Sequence, residues 1–479
     1  MVHYLDVRVE NHTGARFHLA VAASLACAAC QHVPPAPLDA AANGERLAVR
    51  SLTDPAVQTA LARHGVQTAA GTWSLDQLTL ASWVLRTDLA VARSEIDVAR
   101  AAIVADGQRP NPTVSAPLEK VTDEGVAEPW VIGAALALTF EPGGKRAIRQ
   151  ARALAEVRAL EWQFGEALWT ARADVRAALL DLEFAEVLVG LDDEAGRFTR
   201  EFLSWVETRL ERGAATTSER LAAVQALNEA ESRRALDDIA LATASARLAA
   251  AVGVAPRELA SVRPAVPPLD GLSALPAFDV AAARAVAVVN RLDVRRALAE
   301  YDVAEQDLRA AVASQYPDIT FAPGYTVDQA DHKITLGLDL PVPLFHDASA
   351  AINRAIAARA VAAAKFDDVQ AAVLAAVDVA FAQFEAARAA LVSAERATGD
   401  AEAAVAALER RLAAGAANRG EVLAGQIALA TLRQTELAAR RAVFDAATAL
   451  ENAIERPLFP ESSIDAADAI RELLVGPAQ

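Results

Sequence analysis

The chain has 479 residues, of which 53% are hydrophobic, 23% charged and only 5% aromatic, with a formal net charge of −17. This length and hydrophobicity exclude a disordered polypeptide and allow a large core; the acidic balance, with no cluster of Lys and Arg, excludes a nucleic-acid partner. Alanine and leucine dominate and long stretches lack glycine and proline, the composition of long helices packed through small side chains.

Residues 1–29 have the layout of a signal peptide: an apolar run from Phe17 to Ala26 follows Arg16 and is too short to span a bilayer as a helix. The only two cysteines follow it among small residues, as at a bacterial lipidation site. A strict site has leucine three positions earlier, where Cys30 has Cys27 and Cys27 has Ser24. Cys30 opens the proline-rich stretch Cys30-Gln31-His32-Val33-Pro34-Pro35 and is the favoured acceptor, with Cys27 the alternative. A redox or metal role for this Cys-x-x-Cys pair lacks any further cysteine ligand. One acyl chain binds a membrane only marginally, so the lipidated segment 30–74 supplements another mode of insertion. No later segment offers about 18 uninterrupted apolar residues, so a membrane crossing would have to be made by strands.

A first repeat is expected over residues 75–262. After a helix around Arg86, the proline-marked break near Pro112 leads into two alternating runs at about 113–120 and 130–141. Val114, Ala116 and Leu118 oppose Thr113, Ser115 and Glu119; Trp130, Ile132, Ala134, Leu136, Leu138 and Phe140 oppose Gly133, Ala135, Ala137, Thr139 and Glu141. This period of two suits strands with one lipid and one water face. A helix follows from about Arg146 to Arg212, with Leu154, Val157, Leu160, Phe164, Leu168, Val175 and Leu182 on one face. Gly213 marks a turn, and a partner helix returns over Ser218 to Val252.

The stretch 263–276 reads as a linker, residues 277–458 as a second repeat and 459–479 as a tail. Strands recur at about 318–327 and 333–342, helices at Ser349 to Arg411 and Gly420 to Glu455, and a glycine turn at Gly415. Ile319, Phe321, Tyr325 and Val327 share one face of the third strand, and Ile334, Leu336, Leu338 and Leu340 one face of the fourth. Arg86-Thr87-Asp88 recurs as Arg291-Leu292-Asp293 at an offset of 205, and Arg209-Leu210 with Gly213 recurs as Arg411-Leu412 with Gly415 at 202, so the chain is an internal duplication. Helices alone fit a coiled-coil rod as well. The strands decide against it: four cannot close a membrane barrel, since an open edge in lipid leaves backbone groups unpaired, and several subunits must contribute. Trp130, Phe140, Tyr316, Phe321, Tyr325 and Phe345 gather near the strands as an interfacial girdle would.

With the phrases Phe140-Glu141-Pro142-Gly143-Gly144-Lys145-Arg146 and Leu340-Pro341-Val342-Pro343-Leu344-Phe345 after the second and fourth strands, the chain resembles the TolC-like outer membrane factor family. The Gly-Gly-Lys-Arg phrase is most similar to the heavy-metal-efflux, CzcC-type branch. The resemblance implies a mainly α fold with a small β part. It also implies a homotrimer whose strands form a twelve-stranded outer-membrane barrel, continued by a helical tunnel through the periplasm. It implies a passive duct without enzymatic chemistry or cofactor, joined through a periplasmic adaptor to an inner-membrane resistance-nodulation-division pump. The lipid-facing residues would be Trp130, Ile132, Leu136, Leu138, Ile319, Phe321, Tyr325, Ile334, Leu336 and Leu338. The adaptor-binding tips would contain Arg209, Gly213, Ser218 and Leu221 in one turn and Arg411, Gly415, Asn418 and Leu423 in the other. Ala214 and Ala416 depart from the leucine that many members place after the glycine.

Two other classes fit less well. An enzyme would need a His-Glu-x-x-His, a Gly-x-Ser-x-Gly elbow or a phosphate loop, and none is present; His332 and His346 flank a strand as solvated or interfacial side chains or as contacts for passing ions. A periplasmic adaptor or structural coiled-coil lipoprotein would be expected to carry many short strands in barrel and lipoyl-like modules.

Overall fold

The computed structural model describes residues 32–66, 72–122, 130–260, 262–264, 279–328, 331–345 and 347–458. One unit, ending at Val49, contains a single described helix, α1 (Ala40–Ala48), whose first turn is capped by the Asp39 carboxylate. Everything that follows belongs to the other unit, which begins at Arg50.

That unit opens with α2 (Pro55–Arg63), β1 (Thr72–Trp73) and α3 (Leu75–Leu85). Ser74 and Gln77 cap α3 reciprocally: Ser74 N–H donates to Gln77 Oε1 at 2.7 Å and Gln77 N–H to Ser74 Oγ at 3.3 Å. Leu78, Leu80, Trp83 and Leu85 are all buried, which makes α3 the centre of the first hydrophobic core. Then come α4 (Thr87–Asp106), β2 (Thr113–Ser115), β3 (Leu118–Lys120), β4 (Trp130–Phe140), the 67-residue α5 (Lys145–Glu211) and α6 (Thr217–Val252). The short α7 (Pro256–Leu259) leads to β5 (Arg263–Pro264), which pairs in parallel with β1. The second repeat supplies α8 (Val280–Asn290), α9 (Leu292–Ala313), β6 (Ile319–Asp328), β7 (Asp331–Asp339), the 65-residue α10 (Ser349–Ala413) and α11 (Arg419–Ile454).

At 1.5 Å per residue α5 and α10 each extend about 100 Å. Their length follows from an almost unbroken run of good helix formers, and a residue in the left-handed conformation bounds each hairpin. Gly213 and Gly415 have φ of +67° and +71° at the turns; Gly253 (φ +88°) ends α6, and Glu455 (φ +49°) ends α11. Along α5, Val157, Phe164, Leu168 and Val175 are buried as their spacing predicts, whereas Leu154 is exposed. Phe164, Leu168 and Leu179 join the first core with Leu248 and Val252 of α6. Leu180, the next residue, and Phe184, one turn on, join a second core with Val373, Val377, Phe384, Leu437, Phe444 and Leu450. The Phe184 and Phe444 rings meet edge to face at 6.0 Å, so α5 is shared between the repeats.

The sheet runs β2/β3, β4, β6, β7, each strand antiparallel to its neighbour. The expected first strand is broken into β2 and β3 by Ala116-Pro117, because proline has no N–H to donate; the Pro117 carbonyl still accepts the Gly133 N–H at 2.9 Å. By length and composition alone α10 contains an 18-residue window with mean hydropathy 1.4, although charged and polar residues interrupt it. Alanine, rather than larger apolar residues, fills this helix, which packs against α9 and α11.

Candidate functional site

The registers decide which side chains share a face of the sheet. Trp130 opposes Lys120, Ile132 opposes Leu118 and Val327, Leu136 opposes Val114, and Leu138 opposes Phe321. Phe321, Tyr325 and Val327 in turn oppose Leu338, Ile334 and His332, while Pro323 opposes Leu336. Directly opposed residues of an antiparallel pair lie on the same face. All ten residues expected to face lipid therefore share one side of the sheet, and Ile334, Leu336 and Leu338 are 80, 72 and 66% exposed there. The other side carries Thr113, Ser115, Glu119, Thr139, Thr320, Thr326, Asp328, Asp331, Lys333, Thr335 and Asp339, with Val131 and smaller residues between them. The three longer strands have 11, 10 and 9 residues, the length that a tilted strand needs to cross a hydrocarbon core.

Aromatic side chains mark both ends of the apolar face, Trp130 and Tyr325 toward the hairpin turns and Phe140 toward the helices. Lys120 Nζ lies 5.7 Å from the Trp130 ring. His332 is on this apolar face, stacked on Tyr325 at 5.8 Å and hydrogen-bonded to its hydroxyl. That sets it on the side of the sheet opposite Thr326, Asp328, Asp331 and Lys333. His346 and both cysteines lie outside the described residues.

The junction below the sheet explains the Gly-Gly-Lys-Arg phrase. Gly143 and Gly144 both have positive φ, +74° and +71°, and reverse the chain from β4 into α5. Lys145 then pairs with Asp318 of the second repeat at 2.7 Å. Arg146 and Arg149 donate to the carbonyls of Gly107 and Asp106 at the end of α4, and Arg149 also binds Glu141 at 2.6 Å.

At the far end of the hairpins the two tips have the same construction. Arg209 donates to the Ala214 carbonyl, and Arg411 to that of Ala416 at 3.2 Å. Gly213 and Gly415 turn the chain, and Thr216 and Asn418 cap the returning helices. Ser218, expected at this tip, sits exposed inside the first turn of α6. The hydroxyl that caps is that of Thr216, which accepts the Glu219 N–H at 3.2 Å while its own N–H donates to Glu219 Oε2 at 2.6 Å. This backbone N–H holds the Glu219 carboxyl below the usual range. Glu219 and Glu421, absent from the expected set, complete the two caps; the signal for them was an acid three residues after Thr216 and after Asn418. The leucines differ: Leu221 is 67% exposed, Leu423 only 1%.

One family model, that of the outer membrane efflux protein, matches residues 83–254 and again 284–455. The chain belongs to the outer membrane efflux protein family. The double match coincides with the two strand-and-hairpin repeats. Solved structures share this efflux-protein fold. VceC from Vibrio cholerae superposes with a TM-score of 0.65 at 20% identity, over 79% of this chain and 95% of that one. The CmeC outer membrane channel of Campylobacter jejuni gives 0.66 at 13% identity over 93% and 97%. CusC gives 0.64 at 16% identity over 89% and 99%. No match was found among curated protein sequences. Among the described residues of this efflux protein, no group of three or more His, Cys, Asp or Glu is placed to hold a metal ion.

Proposed function

We propose that three copies of this efflux protein close their sheets into a twelve-stranded outer-membrane barrel. The barrel continues as a helical tunnel and serves as the passive duct of a tripartite resistance-nodulation-division system. The observation that carries this reading is a sheet with a predominantly apolar exposed face and two open edges, joined to hairpins about 100 Å long. The edge strands β2/β3 and β7 run in opposite directions, so copies set side by side continue an antiparallel sheet. Closure removes edges that lipid would leave unpaired at several kcal/mol per group. The tips around Gly213 and Gly415 would bind the periplasmic adaptor, and Cys30, or alternatively Cys27, would carry the lipid anchor.

Heavy-metal cations are the substrate class we assign to the duct. The branch-level resemblance at Gly143-Gly144-Lys145-Arg146 supports this, as does the acidic water-facing side of the sheet, where Glu119, Asp328, Asp331 and Asp339 outnumber Lys333. Hydrophobic drugs are the second reading, because the glycine phrase already has a structural task at the strand-to-helix junction that any duct of this fold would share.

Deleting the gene and measuring sensitivity to zinc, cobalt, cadmium, copper and silver beside a drug panel separates the two. Metal hypersensitivity is expected. Drug hypersensitivity with unchanged metal tolerance would remove the metal assignment. Labelling with palmitate in Cys27→Ser and Cys30→Ser variants tests the anchor, and label surviving the Cys30 change would contradict the choice of Cys30.

A further inference from the structure

Asp192 of α5 is only 4% exposed, held where α5, α6 and α11 pack together. Its Oδ1 accepts from Gln434 Nε2 of α11 at 2.5 Å. Its Oδ2 is buried without a hydrogen-bond donor, and the side chain that meets the Asp192 carboxyl is the carboxyl of Asp237 on α6. Two carboxylates in contact need a hydrogen between them. The described residues hold no third ligand for a metal there, so a proton is the simplest bridge.

The other charges near the pair are mostly engaged with one another. On α6, Arg233 and Arg234 face Asp192 electrostatically, and Arg234 is bound to Asp193 at 2.7 Å and to Asp238. On α11, Arg433 is held by Glu194 at 3.2 Å and Glu402 at 3.0 Å. Asp237 also lines a cleft of about 350 Å³ with Asp181, Arg247, Gln434 and Arg441, which gives the proton a path to solvent. Burial first, and Asp237 second, push Asp192 up to about 7.

The second repeat has no such pair. Helices α6 and α11 correspond along their whole length at an offset of 202 residues, and the position matching Asp237 is Ala439.

We propose that Asp192 and Asp237 share one proton that clasps the stem of the first hairpin, and that losing it loosens α5 from α6. The second hairpin, apart from α11 around Gln434, is unaffected. The pair lies about 30 Å from the Gly213 turn along α5, so the proton sets the stiffness of one of the two tips. A raised carboxyl keeps its proton below its folded value, and the clasp is intact there. As pH rises through that value the proton leaves, and the two negative charges repel across the helix contact.

The test is hydrogen exchange by mass spectrometry on the full chain in nanodiscs at pH 6, 7 and 8, corrected for intrinsic exchange rates. Protection in peptides covering residues 186–200 and 230–242 is expected to fall by about tenfold from pH 6 to 8. Peptides of α10 and of α11 beyond residue 440 should stay flat. Asp192→Asn, which keeps a donor and an acceptor, should abolish the fall, and so should Asp237→Asn. A wild type with no fall in those peptides, or either variant keeping the wild-type profile, would overturn the proposal. Infrared difference spectra of the wild type give a check free of mutation: a buried protonated-carboxyl band should disappear between pH 6 and 8, and its absence at pH 6 would contradict the shared proton.

Discussion

The Trp205 indole occupies the place where a side chain on Gly420 would stand: a Cβ added there would meet its Cη2 at 2.2 Å. Trp205 lies two turns above the first tip and Gly420 in the first turn of the helix leaving the second, so this contact ties one hairpin to the other. Arg209 covers the ring at 4.7 Å, and the Arg419–Glu201 pair at 2.7 Å lies beside it. Ordinarily Gly→Ala in a helix gains about 0.5–1 kcal/mol. At Gly420 the clash reverses the sign, and Gly420→Ala is expected to destabilise by about 1–3 kcal/mol. Urea denaturation followed by tryptophan fluorescence measures it. Adding Trp205→Leu should recover part of the loss, because it removes the atoms in collision.

Farther up the same seam, Glu451 (1% exposed) receives Arg172 at 3.0 Å and also Arg176. All three are buried, and removing the single acid leaves two guanidinium groups in an apolar layer. Glu451→Ala is therefore expected to cost about 3–5 kcal/mol. Replacing all three by Leu or Met should cost much less, which chemical denaturation of both variants checks.

Glu455 takes the left-handed position that Gly253 holds in the first repeat, and its Oε2 accepts the Leu292 N–H at 2.7 Å. Burial is the first cause that pushes its carboxyl up to about 7. The sign follows: between about pH 4.5 and 7 the folded state binds the proton and the unfolded state does not, so stability falls as pH rises through that window. Glu455→Gln should flatten this part of the profile of melting temperature against pH between pH 5 and 7. An unchanged slope would contradict the assignment.

At the first tip, Thr216→Ala is expected to cost about 1 kcal/mol of helix stability and Ser218→Ala less than about 0.5 kcal/mol. Faster amide exchange in residues 215–222 of the Thr216 variant alone would show which hydroxyl caps α6.

Much of this architecture was legible in the chain. The period-two runs gave β4, β6 and β7 and the shared face of their apolar residues, because a register slip of one residue would turn all of them over. The helix ends were legible from Gly213, Gly415 and the acids after Thr216 and Asn418. Pro117, which divides the first strand, was visible but its effect was not drawn. Contacts between elements far apart in sequence were hidden. Nothing local to Gly420 announces Trp205, and Asp192, Asp237 and Gln434 sit on three helices whose mutual rotation only packing decides. Leu221 and Leu423 occupy equivalent places in the motif, yet one is exposed and the other buried: the first turn of α11 meets Trp205 of α5 as well as its own hairpin partner α10.

The central claim, a barrel closed by several copies, is tested most directly by cryo-electron microscopy of the full chain in lipid nanodiscs. The account predicts three copies around one axis, with β7 of each paired to β2 and β3 of the next and Ile334, Leu336 and Leu338 facing lipid. A lone chain in lipid with unpaired sheet edges, or a closed barrel with those three side chains turned into the lumen, would contradict it.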